Sequence, residues 1–143
     1  MNVENILRNK GSAVVTARQS QTLQQIAKLI ADHRIGAVVV VDAAGAPLGI
    51  VSERDIVNAL ARHGAGLLSL TVAQVMTRPV VTCDPAESVG ELMAEMTNRR
   101  IRHLPVVQDG RLCGIVSIGD LVKNRLDEIE FEASSLRSFI AGA

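Results

Sequence analysis

The chain has 143 residues, of which 48% are hydrophobic and 21% charged, enough to form one folded unit with a core. Fifteen basic and fifteen acidic residues give a net charge of zero, which argues against nucleic acid and anionic membranes as partners. The apolar runs are too short to span a bilayer and the first residues lack the features of a signal peptide, so we expect a cytoplasmic protein.

The first half of the chain alternates helical and extended patterns. Apolar residues at helical spacing predict a short amphipathic helix at the start, and a second helix between a Ser20 cap and a Gly36 stop. Residues 37–41 form an unbroken β-branched run, typical of a strand covered on both faces. The elements are predicted at residues 3–12 (helix), 13–16 (strand), 20–35 (helix), 37–41 (strand), 48–51 (strand) and 52–60 (helix).

The same order begins again after a break at residues 63–66. Residues 80–82 repeat residues 14–16, and Asp84-Pro85-Ala86-Glu87 has the residue types that start a helix. Each half therefore reads strand–helix–strand–strand–helix, a mixed α/β (α+β) class. Neither half has enough elements to close a core, so we expect the halves to pack about a pseudo-twofold axis. We predict repeats at residues 1–66 and 67–126 and a helical extension at 127–143.

The extension carries an apolar stripe at Leu126, Ile129, Ala133, Leu136 and Ile140, with spacings of 3, 4, 3 and 4. Two interpretations stay open: the helix folds back on its own domain, or it forms a dimer contact.

Each half also contains a serine followed three residues later by an aspartate, where a strand runs into a helix. These pairs are Ser52 with Asp55 and Ser117 with Asp120. A helix N-terminus has free N–H groups and a partial positive charge, so the junction is a natural anion site. The same residues can also form a simple helix cap.

Three segments, residues 75–82, 101–107 and 114–120, closely resemble the second repeat of a CBS-domain pair, or Bateman module, and residues 3–61 resemble the first. The chain is thus similar to stand-alone bacterial CBS-pair proteins. The resemblance implies a non-catalytic regulatory module that binds an adenine nucleotide (AMP, ADP, ATP or NAD(H)) in two clefts and signals to an unidentified partner protein. It also implies a homodimer.

The resemblance further implies two sets of binding residues, in which Asp55 and Asp120 hold the ribose hydroxyls. The Asp55 site would comprise Leu23, Ile35, Gly36, Ala37, Ser52, Arg54, Asp55, Arg102 and His103. The Asp120 site would comprise Asp84, Val89, Ile101, Arg102, His103, Ser117, Gly119 and Asp120. Leu23 and Val89 would cover the adenine faces.

The two sites are not equivalent in sequence. Gly36 and Ala37 occupy the positions of Arg102 and His103, so the Asp120 site should lack cationic side chains from the first repeat. We therefore expect the Asp55 site to bind the more highly charged phosphate group.

Other function classes find little support in the sequence. There is no nucleophile–base pair, no phosphate-cradling glycine-rich loop and no metal-ligand spacing, since Cys83 and Cys113 stand far apart. Nucleic-acid binding is disfavoured by the zero net charge and the lack of Trp and Tyr for stacking. The alternative is a scaffold or interaction protein with unoccupied clefts.

Overall fold

The computed structural model describes residues 1–142 and shows two halves with the predicted order of elements, except for the strand expected at residues 80–82. The first half contains α1 (Val3–Lys10), β1 (Thr16–Ala17), α2 (Leu23–His33), β2 (Ala37–Val41), β3 (Pro47–Ser52) and α3 (Glu53–His63). A 3-10 turn at Gly64–Ser69 leads into the second half, which contains α4 (Val72–Val75), α5 (Val89–Arg99), β4 (His103–Gln108), β5 (Arg111–Ser117) and α6 (Ile118–Gly142). No helix within residues 1–142 is long and apolar enough to cross a membrane.

The halves form separate small sheets. In the first, β1 is parallel to β2 and β2 is antiparallel to β3; in the second, β4 and β5 form an antiparallel pair. The strand expected at residues 80–82 is reduced to a single parallel bridge between Cys83 and Val106. Strand β2, one alanine followed by four valines, is buried along its whole length, as its lack of polar alternation predicts.

Two predicted helix starts are wrong by a few residues. Helix α2 is capped by Thr22, not Ser20, because Thr22 accepts the N–H of Gln25 and Gln25 in turn accepts the N–H of Thr22.

Helix α5 is capped by Ser88, whose Oγ accepts the N–H of Glu91 at 3.1 Å. Asp84 lies in the preceding turn, where its Oδ1 accepts the N–H of Ala86 at 2.8 Å and Glu87 accepts the N–H of Asp84 at 3.2 Å. The local hydrogen bonds that the Asp-x-x-Glu pattern predicts are therefore present, but they stabilise a turn instead of a helix.

The two halves exchange their leading helices. Val3 and Ile6 of α1 are buried in the core of the second half, and Val72 and Met76, in and just after α4, are buried in the core of the first. Burying one such side chain is worth about 1.5–3 kcal/mol. The exchange thus ties the halves together, as expected for repeats that cannot close a core alone.

Helix α6 is continuous from the second half into the extension. Leu121 and Asn124 pack against the body, whereas large apolar residues beyond them are exposed. The interpretation that the extension folds back on its own domain is therefore wrong.

Candidate functional site

The first site lies where β3 runs into α3. Ser52 is the N-cap of α3, and its Oγ accepts the N–H of Asp55 at 3.3 Å. The carboxylate of Asp55 reaches back, and its Oδ2 accepts the N–H of Ser52 at 2.9 Å and its hydroxyl at 3.1 Å. The capping interpretation of this motif is therefore satisfied, and it holds the carboxylate at the positive end of the helix dipole.

A second hydroxyl reaches Asp55 from the other half of the sequence. Thr77 forms an isolated bridge with Ile50, through N–H to O=C bonds of 2.9 and 3.2 Å. This bridge lets Thr77 Oγ1 donate to Asp55 Oδ1 at 3.1 Å. Thr77 was not among the predicted site residues, although it lies within one of the segments that carry the family resemblance.

A cleft of about 210 Å³ opens beside this carboxylate. It is lined by Gly36, Ile50, Ser52, Glu53, Arg54, Asp55, Thr77, Arg100, Ile101, Arg102 and His103. A neighbouring cavity of about 460 Å³ shares four of its residues, Arg54, Arg100, Ile101 and Arg102. Three arginines thus lie between this cleft and the neighbouring cavity. Arg54 also crosses between the halves to donate to the carbonyl of Arg100 at 3.3 Å.

The second site repeats this geometry where β5 runs into α6. Ser117 Oγ accepts the N–H of Asp120 at 3.1 Å, and Asp120 Oδ2 accepts the N–H of Ser117 at 2.9 Å. Here the additional donor is Lys10 of α1, whose Nζ lies 2.7 Å from Asp120 Oδ2 and 2.9 Å from the carbonyl oxygen of Ile115.

Lys10 also affects the ionisation of Asp120. Burial by itself raises the pKa of this carboxyl, but the hydrogen bonds from Lys10 and Ser117 outweigh it and leave the pKa below its usual range. The carboxylate is therefore charged at neutral pH and bound to a cation that the sequence motif does not reveal.

The Asp120 cleft has a volume of about 330 Å³. It is lined by Lys10, Ala13, Val14, Val15, Arg34, Ile35, Gly36, Ala37, His103, Ile115, Ser117 and Asp120. The expectation that this site lacks cations from the first repeat is wrong, because both Lys10 and Arg34 line it. Arg34 ends α2 in a left-handed conformation with φ of 53°, as Arg100 ends α5 with φ of 56°.

The structure places Leu23, Val89 and Asp84 outside both clefts. Leu23 and Val89 are buried in the two cores, so neither has a surface open to an adenine ring. Both are core-facing residues at the start of their helices, and their apolar character is explained by packing. The carboxylate of Asp84 accepts the N–H of Ala86 within the turn before α5.

Several other predicted residues line the opposite cleft from the one expected. Ile35 and Ala37 line the Asp120 cleft, whereas Ile101 lines the Asp55 cleft; Arg102, expected in both sites, lines the Asp55 cleft but not the Asp120 cleft. Gly119 is not among the residues that line either cleft. Each cleft therefore combines the strand–helix junction of one half with the start of the first long strand of the other.

Gly36 and His103 line both clefts and form their shared wall. A Cβ on Gly36 would lie 2.8 Å from His103 Nε2 and 3.1 Å from Glu53 Oε1, so only glycine fits there without displacing a side chain. Burial lowers the pKa of His103, and the charges of Lys10 and Arg102 lower it further, against opposing effects of Glu53 and Asp120.

Within residues 1–142 no group of three or more His, Cys, Asp or Glu side chains could hold a metal ion. The Asp55 cleft is lined by two carboxylates, Glu53 and Asp55, and three arginines, whereas the Asp120 cleft is lined by Asp120 with Lys10 and Arg34.

Comparison with known proteins agrees with the two-repeat fold. A family model described as CBS domain matches residues 4–62 and 72–127. The CBS domain-containing protein YhcV of Bacillus subtilis is 36% identical over 114 residues, which cover 79% of this chain and 79% of YhcV. The chain spans 57% to 79% of the length of four curated relatives that it matches.

Solved structures give the same result. The CBS-domain containing protein ATU1752 from Agrobacterium tumefaciens is 46% identical, with a TM-score of 0.85 over 87% of this chain and 99% of that one. The CBS domain pair of protein MJ0100, solved in complex with 5′-methylthioadenosine and S-adenosyl-L-methionine, is 29% identical, with a TM-score of 0.79 over 90% of this chain and 98% of that one.

Proposed function

The chain belongs to the CBS-domain family, and on that premise we propose that it is a non-catalytic regulatory module that binds adenosine-containing ligands in the Asp55 and Asp120 clefts. The observation that carries the proposal is the repeated junction, which holds a carboxylate at a helix N-terminus beside a cleft built from both halves. The complex of the MJ0100 domain pair with two adenosine derivatives supports the ligand class.

The carboxylates are suited to a ribose diol. A carboxylate has about four acceptor positions, and a ribose diol offers two neighbouring O–H donors. Asp55 uses three of its positions, but two of its donors are the hydroxyls of Ser52 and Thr77, which can rotate to other acceptors. An incoming diol can therefore replace them without leaving a buried donor unpaired.

The base would be held by aliphatic side chains and backbone, since the chain contains no Trp or Tyr. Val14, Val15, Ile35 and Ile115 line the Asp120 cleft, and Ile50 and Ile101 line the Asp55 cleft. These residues can cover the faces of a purine and leave its edge to backbone groups.

The clefts differ in charge. Arg54, Arg100 and Arg102 line the Asp55 side, whereas the Asp120 cleft has Arg34 and a lysine already paired with Asp120. We therefore assign the more highly phosphorylated ligand, among AMP, ADP, ATP and NAD(H), to the Asp55 cleft. Guanidinium groups bind phosphate oxygens in a bidentate manner, which favours this assignment.

Regulation would follow if the ligand binds one arrangement of the halves more tightly than another, and so changes the surface offered to a partner protein. The chain would act in this way as a homodimer and without a metal.

The proposal is tested by thermal-shift and calorimetric titration of the full chain with AMP, ADP, ATP, NAD⁺, NADH, S-adenosylmethionine and 5′-methylthioadenosine. A ligand that binds only the folded state at a hundredfold excess over its Kd adds about 2.7 kcal/mol of stability. We expect Asp55→Asn to abolish the shift with the most phosphorylated ligand, and Asp120→Asn to leave that shift in place. Equal binding of the 2′-deoxy analogue would contradict the role of the carboxylates.

The second candidate is a scaffold protein whose clefts stay empty. It is favoured by one observation: the Asp55 carboxylate is already satisfied by Ser52 and Thr77. No shift in melting temperature with any of these ligands at millimolar concentration would support this candidate over the sensor.

A further inference from the structure

The C-terminal part of α6 presents an apolar surface that no other described residue covers. The body contacts α6 through Leu121 and Asn124, both buried, and Glu128 is half-buried on the same side. Beyond these residues the helix is exposed to its last described residue, Gly142.

Six of the exposed apolar residues of α6 form a seam with coiled-coil spacing, and Phe131 and Phe139 lie outside it. The seam consists of Val122, Leu126, Ile129, Ala133, Leu136 and Ile140. Successive intervals of 4, 3, 4, 3 and 4 residues place these side chains in alternating d and a positions of a heptad repeat. The residues that face the body, at 121, 124 and 128, fall at c and f positions. The seam therefore points away from the body and is open to a partner helix.

Charged side chains flank the seam in an ordered way. The g positions before and within the extension hold Arg125 and Glu132, and the e positions that follow them hold Glu130 and Arg137. In a parallel two-stranded coiled coil, each g side chain faces the e side chain five residues further along the other helix. Arg125 would then face Glu130 of the second copy, and Glu132 would face Arg137 of the second copy. Both pairs are of opposite charge.

We propose that the seam of α6 pairs with the same seam of a second copy as a parallel, in-register, two-stranded coiled coil. Over residues 122–140 the contact is about 28 Å long. The proposal rests on the helix surface alone and is independent of ligand binding in the clefts.

The antiparallel arrangement is disfavoured by the same charges. With the seams fully overlapped in that orientation, e positions face e positions and g positions face g positions. Glu130 would then face Glu130 of the second copy, Glu132 would face Glu132, and Lys123 would face Arg137. Like charges at each of these places select the parallel register.

Disulfide trapping tests the register directly. Ala133 lies at an a position on the proposed dimer axis, and Ser138 lies on the opposite side of α6 at an f position. In a Cys113→Ser background, we expect Ala133→Cys to give covalent dimers under mild oxidation and Ser138→Cys to remain monomeric on a non-reducing gel. Equal yields from the two variants would overturn the proposal.

Charge reversal tests the pairing. We expect Glu132→Arg to raise the dimer dissociation constant about tenfold, measured by sedimentation of the full chain, because it places two arginines opposite each other twice per dimer. Adding Arg137→Glu should restore the wild-type value. Residues 132 and 137 are five positions apart on one helix and do not face each other within it, so restoration can only arise between helices. The proposal would be refuted if the dimer were unaffected by Glu132→Arg or if a trimer formed. It would also be refuted if the wild-type chain stayed monomeric at 200 µM (about 3 mg/ml).

Discussion

Gly49 allows the close approach of the segment that brings Thr77 to Asp55. A Cβ at position 49 would lie 2.8 Å from the carbonyl oxygen of Thr77 and 2.9 Å from Met76 Sδ. That carbonyl accepts the N–H of Ile50 and belongs to the bridge between the halves, so it cannot rotate away as a side chain would. The substitution Gly49→Ala must therefore displace backbone.

The expected cost has two parts. Overpacking a tight contact costs about 1–3 kcal/mol. Weakening one bridge hydrogen bond adds about 1 kcal/mol. We expect Gly49→Ala to lower the free energy of unfolding by about 2–4 kcal/mol in a urea titration followed by circular dichroism. It should also weaken ligand binding at the Asp55 cleft, because the Thr77 hydroxyl moves.

Two glycines provide controls. At Gly90, in the first turn of α5, an added Cβ meets nothing within 4 Å, so Gly90→Ala should raise stability by about 0.5–1 kcal/mol. At Gly114, the counterpart of Gly49, the atoms nearest to the added Cβ belong to the Leu7 side chain, at 2.6 Å, which can adjust. We expect Gly114→Ala to cost less than Gly49→Ala. A cost below about 1 kcal/mol for Gly49→Ala would show that the bridge is compliant and would refute the reasoning.

Three further predictions concern the charged and buried groups. Lys10→Met should raise the pKa of Asp120 and cost about 1 kcal/mol at pH 7, a modest value because the lysine is 37% exposed. A carboxyl whose pKa is lowered in the folded state stabilises the fold at pH values above its ordinary pKa. That stabilisation is lost as the pH falls through the lowered pKa, so the free energies of unfolding of wild type and variant from urea titrations should converge in strong acid. Burial raises the pKa of the Cys83 thiol to about 12, so a thiol reagent at pH 8 should label Cys113 well before it, as mass spectrometry would show; simultaneous labelling would contradict this. Gly36→Ala should push His103 aside and reduce ligand affinity in both clefts by calorimetry while changing stability by less than about 1 kcal/mol; an effect on one cleft only would argue against a shared wall.

The sequence was informative wherever a pattern is local. The duplication, the order of elements and the two Ser-x-x-Asp junctions depend on neighbouring residues and were predicted, apart from the strand at residues 80–82. The fold and family were confirmed. The helix start at Asp84 was predicted wrongly because capping hydrogen bonds also stabilise turns. The start expected at Ser20 lies at Thr22, where Gln25 completes the capping box. Leu23 and Val89 were misassigned because an apolar residue at the start of a helix looks the same whether it faces a ligand or a core.

Two of the missed residues reach their site from a distant part of the chain. Lys10 contacts Asp120 across 110 positions, and Thr77 contacts Asp55 across 22. Nothing in the local pattern around either residue distinguishes it from a solvated side chain. Their roles depend on the exchange of α1 and α4 between the halves, which no spacing in the sequence predicts.

Because of that exchange, each junction aspartate is bonded both to its own repeat and to the other repeat. In each junction the aspartate is fixed by its own capping serine, while its additional partner arrives on the leading segment of the other repeat: Thr77 at Asp55 and Lys10 at Asp120. A bound diol that takes an acceptor position from Thr77 or Lys10 would loosen a bond between the repeats, whereas the N–H of the capping serine would keep its bond within a repeat. The proposed ligand would therefore couple occupancy of the clefts to the relative placement of the halves, because the same carboxylates would serve both.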